Sequence, residues 1–137
     1  MTKTYKLSNE KTVKVTAKNK RKSSKWGGEH YAYTITMEVD DKMFKTTFHD
    51  SIYNYSRGTG AIKEMIDNAV YCIIMDSDSY KYNPNLRDFI NEYGYDPEEP
   101  TGASVFQACR EVYEAISQMF TEAELEELYN LVDGDTK

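Results

Sequence analysis

Cysteine, proline, histidine and tryptophan are all scarce in this chain of 137 residues, at two, three, two and one. Two cysteines cannot build a disulfide framework. No apolar run approaches the ~18 residues that a membrane-spanning helix needs. The N-terminal stretch lacks the apolar centre of a secretory signal, so none is expected. Leucine, isoleucine, valine and phenylalanine together make up only about 18% of the residues, a level at which disorder has to be weighed. Against disorder stand a net charge of only −6 and twelve tyrosines, which supply large half-polar surfaces. The length suits one domain, residues 1–137, able to bury about two-thirds of its unfolded surface.

The charges are segregated along the chain. Residues 1–25 hold nine lysines and arginines and one acid, Glu10, for a local charge of +8; the other 112 residues carry −14. A basic arm suits a polyanion or an acidic protein surface, whereas an acidic body favours basic partners such as nucleic-acid-binding clefts. Both charges also do the ordinary work of keeping a small domain soluble.

Hydrophobic periodicity places strands first and helices second. Residues 4–7 form a short strand, and residues 12–17 alternate with Val13, Val15 and Ala17 on one face. Residues 18–29 are polar, end in Trp26-Gly27-Gly28, and are expected to be a long exposed loop. Residues 30–39 hold Tyr31, Tyr33, Ile35, Met37 and Val39 at period two. Asp40-Asp41-Lys42 makes a tight connection to residues 43–49, with Phe44, Thr46 and Phe48 on one side. These pieces predict an antiparallel meander of three or four strands whose apolar face needs a cover.

Four helices should provide it. Ile62, Met65, Ile66, Ala69, Val70, Ile73 and Ile74 make a complete stripe on a helix over about residues 60–75, which Asp76-Ser77-Asp78-Ser79 is expected to break. Asn83 and Pro84 are expected as N-cap and first position of a second helix, ended by Gly94. Thr101 is expected to cap a third, with Val105, Phe106, Cys109, Val112, Tyr113, Ile116, Met119 and Phe120 inward. Thr121 and Glu124 form a capping box for a fourth, built on Leu125, Leu128 and Val132 and followed by Gly134. The fold class is α+β, strand-rich over residues 1–50 and helical over 58–133.

Catalytic, cofactor and metal signals are thin. His30 and His49 flank the best hairpin, but two imidazoles do not make a metal site without further ligands. Cys72 and Cys109 fall on or beside apolar helix faces, as buried thiols do. Asp76-Ser77-Asp78-Ser79-Tyr80 begins like a calcium loop, but Lys81 stands where glycine is needed and Arg87 where glutamate is needed. Ser56-Arg57-Gly58-Thr59-Gly60 ahead of a helix could hold an anion on free N–H groups, although it matches no nucleotide-binding fingerprint. The expectation is a protein without enzymatic activity, metal or cofactor.

Two binding surfaces stand out. Lys18, Lys20, Arg21, Lys22 and Lys25 with Trp26 combine backbone-neutralising charge with one stacking platform, which is nucleic-acid-binding chemistry. Asp96, Glu98, Glu99, Glu111, Glu114, Glu122, Glu124, Glu126 and Glu127, with Tyr93 and Tyr95, concentrate acid and tyrosine along the last helices and the connector between them. Tyr53, Tyr55, Tyr80 and Tyr82 also lie in or beside expected loops, where tyrosine often anchors protein interfaces.

The stretch from about Asp67 to Leu128 resembles small accessory proteins of phages and prophages of Gram-positive gut bacteria. The resemblance rests on Asp76-Ser77-Asp78, on Phe89 with Glu92-Tyr93-Gly94-Tyr95-Asp96, and on Phe106-Gln107-Ala108-Cys109-Arg110. It covers about half the chain, its motifs are structural, and it brings no catalytic residues. It implies a mobile-element protein of the bacterial cytoplasm. Compact acidic members of that class resemble inhibitors of host defence, including anti-CRISPR proteins. The expected partner is then a nucleic-acid-handling host protein such as a CRISPR effector nuclease, met by the acidic, tyrosine-rich surface. The alternative is a small nucleic-acid-binding accessory protein using the basic segment of residues 18–26.

Overall fold

The computed structural model of the chain describes residues 1–23, 30–50 and 65–133. It is an α+β fold: a four-stranded antiparallel sheet followed, among the described residues, by four helices. The strands are β1 (Thr2–Lys6), β2 (Thr12–Ser23), β3 (His30–Val39) and β4 (Lys42–Asp50), in the spatial order of the sequence. The helices are α1 (Met65–Tyr82), α2 (Leu86–Tyr93), α3 (Pro100–Ile116) and α4 (Glu122–Val132).

Register settles which side chains share a face. Tyr5 is opposite Val13, Val13 opposite Val39, Val15 opposite Met37, Ala17 opposite Ile35, and Tyr33 opposite Phe48. These residues form the inner face. Most are almost wholly buried, in one core with Ile66, Ala69, Val70, Ile73 and Ile74 of α1 and with residues of α3 and α4. The expected cover is therefore present. Asp67 on α1 ties it to β1, because Lys3 Nζ donates to the Asp67 carboxylate at 2.8 and 2.9 Å and the Tyr5 hydroxyl donates to the same group.

A second, aromatic core joins α2 to α3 and the end of α1. The Phe89 ring lies 4.8 Å from Tyr93, 5.3 Å from Phe106 and 6.3 Å from the parallel ring of Tyr95. Gly102 lets α3 approach this cluster, since a Cβ there would stand 2.8 Å from Tyr95 Cβ, closer than side chains can come.

Several sequence expectations are corrected. The loop foreseen over residues 18–29 is strand as far as Ser23. Asn19, at φ 57°, absorbs a register shift between Lys18 and Arg21, after which pairing with β3 resumes. Asp76-Ser77-Asp78-Ser79 does not break α1, which continues to Tyr82. Ser77 is small enough to pack inside, only 3% exposed, and the Ser79 hydroxyl donates to the Met75 carbonyl one turn back. The α2 cap is Asn85, not Asn83. Its side chain accepts from the Arg87 and Asp88 N–H groups, and Pro84 stays outside the helix. Helix α3 starts at Pro100 behind Glu99, so Thr101 is already helical and caps nothing. Met119 and Phe120 lie beyond the end of α3, buried in the turn that leads to α4.

Other expectations hold. Strand β3 has the foreseen limits, Gly94 closes α2 at φ 74°, and the Thr121–Glu124 capping box is formed. Cys109 is buried, and burial pushes its thiol up to about 12, far from reactive. Lys25, Trp26, Tyr53, Tyr55, Ser56, Arg57, Gly58, Thr59, Gly60, Ile62 and Gly134 lie outside the described residues, and with them the anion-binding expectation.

Because Val70 is fully enclosed between α1 and the sheet, Val70→Asp places an unpaired charge in the core. It should destabilise by about 4 kcal/mol or more, most of the stability of a domain at the low end of the ordinary ~5–15 kcal/mol range, and lower the melting temperature accordingly. Thermal melting of the variant at the parent temperature would refute this packing.

Candidate functional site

A concavity opens on the helical side, between the C-terminal half of α1, the end of α3 and α4. It measures about 660 Å³. Ile74, Phe120 and Leu125 form its apolar floor, and Tyr113 and Tyr129 its walls. Each wall is held from behind. The Tyr113 ring packs 5.3 Å from Tyr80, and the Tyr129 ring 5.5 Å from Tyr71. Burial, then the Tyr71 hydrogen bond, pushes the Tyr129 phenol up to about 12. Met75 and Tyr82 stand at the mouth, 39% and 71% exposed.

The rim is charged. Lys81 on α1 and Glu122 on α4 form an ion pair of 2.6 Å that bridges the two helices. Their hydrogen bond raises the lysine and lowers the glutamate, so both stay ionised. Burial pushes the Asp78 carboxyl up, with nearby Lys81 opposing the shift. Glu126 is exposed on the α4 side of the opening. Three acids against one lysine leave the rim negative. Aromatic anchors in a concavity with a charged rim are the usual anatomy of a protein-binding surface.

The acids and tyrosines singled out from sequence do not form one continuous surface. Glu122 and Glu126 border the groove. Glu111 and Tyr95 line a separate cleft of about 550 Å³ between β4 and α3. Glu114 pairs with Arg110 at 2.7 Å along α3. Tyr93, Asp96, Glu98 and Glu99 sit exposed at the corner between α2 and α3, where Asp96 accepts from the Glu98 N–H. Glu124 and Glu127 point instead to the turn between β1 and β2. Glu127 accepts from the Ser8 N–H at 2.7 Å and its hydroxyl at 2.9 Å. Glu124 is 6% exposed and accepts from Thr121 N–H, Lys11 and Asn9, so its carboxylate is engaged inside the fold.

Of the basic set, Lys18, Lys20, Arg21 and Lys22 lie on β2 rather than in a loop. Lys20 Nζ rests 4.4 Å from the Tyr31 ring centre. The histidine pair does meet, with His30 Nε2 and His49 Nδ1 2.8 Å apart, a bond that needs at least one neutral ring. No group of three or more potential metal ligands occurs among the described residues. Asp78, Lys81, Tyr113 and Tyr129 were missed as groove residues. The i, i+4 pair Leu125/Tyr129 was a readable signal, but Asp78 and Lys81 share a face only once α1 runs on to Tyr82.

No family model matches the chain, and no curated protein or solved structure matches it either.

Glu124 yields a pH prediction. Its carboxyl falls from 4.5 to about 2, chiefly through the Thr121 N–H, then Lys11. A depressed carboxylate stabilises the fold fully above its unfolded value, and that contribution is lost as pH falls from about 4.5 towards 2. Glu124→Gln should cost about 1–3 kcal/mol at pH 7. In urea unfolding the gap between variant and parent should close across that window. A gap that persists below pH 2 would mean the charge of Glu124 is not what matters.

Proposed function

We propose that this protein is a non-enzymatic inhibitor carried by a bacterial mobile element, acting in the host cytoplasm on a nucleic-acid-handling defence protein, of which a CRISPR effector nuclease is the leading example. The observation that carries this reading is the groove between α1, α3 and α4, where rigid tyrosine walls and an acidic rim converge. Nucleases hold their substrates in basic channels, and an acidic surface with aromatic anchors complements such a channel. Charge speeds the encounter and selects the partner, while buried aromatics set the residence time. Tyr82 and Met75, exposed at the mouth, are the anchors that association would bury. The acidic corner of Asp96, Glu98 and Glu99 with Tyr93 adds a second negative surface of the same character. The resemblance of residues 67–128 to phage accessory proteins supports the same class.

The test is DNA cleavage by a panel of purified CRISPR effector nucleases with the chain added. At least one should be inhibited, more strongly at low salt. Tyr82→Ala combined with Glu126→Lys should weaken that inhibition about 30-fold, the ~2 kcal/mol of a buried aromatic anchor. Reversing Lys20, Arg21 and Lys22 should leave it nearly intact. Inhibition that survives the groove variant but vanishes with the basic one would overturn the assignment.

A further inference from the structure

The opposite side of the sheet presents a surface of different chemistry. Register places Thr2, Thr16, Thr36 and Lys45 in one row across the outer face, Thr4, Lys14, Glu38 and Met43 in the next, and Lys18, Thr34 and Thr47 in a third. Beyond the bulge, Arg21 lies opposite Ala32 and Ala32 opposite His49. The core helices all pack against the other face, and Lys14, Lys18, Arg21 and Lys45 are exposed. Lys6 shares this face but pairs with Glu10 at 3.1 Å. Glu38, half-buried and directly opposite Lys14, is the single acid at the described outer-face positions.

We infer that this outer face binds the phosphate backbone of a nucleic-acid duplex, using Lys14, Lys18, Arg21 and Lys45 as cations and the threonine rows as neutral donors. This reading goes beyond the groove, which lies on the other side of the molecule. Three features select the ligand. The four cations face outward over rows of threonine hydroxyls, and hydroxyls together with cations are the usual donors to phosphate oxygens. Lys14 to Arg21 spans roughly 20 Å of strand, along which each strand of a duplex presents about six phosphates. The described outer-face positions carry no phenylalanine, tyrosine or tryptophan; their aromatic rings are His30 and His49 at one end, bonded to each other at 2.8 Å, so a row of stacking platforms such as single strands use is missing. The acids of the helical layer lie on the far side of the sheet from the β2 cations Lys14, Lys18 and Arg21, and charges act over only ~8 Å at physiological salt; Lys45, on the edge strand, shares the β4–α3 cleft with Asp76 and Glu111. The overall charge of −6 therefore does not cancel the local field of the β2 cations.

Fluorescence anisotropy with a labelled 20-base-pair duplex of arbitrary sequence tests this. The four cations predict a slope of log K against log salt near −3.6, a loss on the order of 100-fold between 50 and 200 mM salt. Lys18→Gln and Lys45→Gln should each make that slope shallower by about 0.9. Lys14→Glu/Lys18→Glu/Arg21→Glu should abolish binding while leaving the circular dichroism spectrum unchanged, since all three side chains are exposed. Tyr82→Ala with Glu126→Lys should bind the duplex normally, which separates this surface from the groove. Absence of duplex binding at 50 mM salt, duplex binding by the triple variant, or tighter binding of a single strand of equal length would each overturn the inference.

Discussion

A sheet that alternates apolar and polar residues on every strand can be dry on one side only. Val13, Val15, Ile35, Met37 and Val39 all point one way, and their burial requires a partner of matching length. Helix α1 is that partner. Its Ile66, Ala69, Val70, Ile73 and Ile74 make the stripe that lies on the strands, and removing this apolar surface from water is the dominant force holding the layers together. The positions of α3 and α4 follow, since both pack against α1. The same constraint leaves the outer face of the sheet to threonine and lysine.

Hydrophobic burial has no direction, so polar contacts set the registry between the layers. Asp67 fixes the start of α1 to β1 through Lys3 and Tyr5. At the other end of the strand pair, Asn9 and Lys11 reach Glu124 while Ser8 reaches Glu127, locking the β1–β2 turn onto α4. Lys42 adds a bond of 2.8 Å to the Gln118 carbonyl in the α3–α4 turn. The cations in these ties come from the basic N-terminal third and the acids from the helices. Part of the charge asymmetry of the chain is thus spent inside the fold, and the remainder divides into a basic outer sheet face and an acidic helical side.

The alternation of β3, the stripe of α1, the Gly94 stop and the Thr121–Glu124 capping box were all legible in the amino-acid sequence, because each depends on side chains a few positions apart. The course of residues 18–23 and 76–82 was not. Both are polar segments whose local preference favours loop, and tertiary pairing overrode it: β3 offered Lys18–Ser23 a strand to bond with, and the core took in the small Ser77 side chain. The sites divide along the same line. Acid and tyrosine abundance could be counted, but which acids stay exposed depended on how the β1–β2 turn meets α4. That contact turned Glu124 inward and left Glu126 at the groove. Sequence by itself determined the α+β class, the one-sided sheet and its helical cover, since period and capping are local. Only the tertiary structure decided that Lys14, Lys18, Arg21 and Lys45 share one face and that Tyr82, Tyr113 and Tyr129 share one groove, since those neighbours are set by strand register and helix packing between residues distant in the chain.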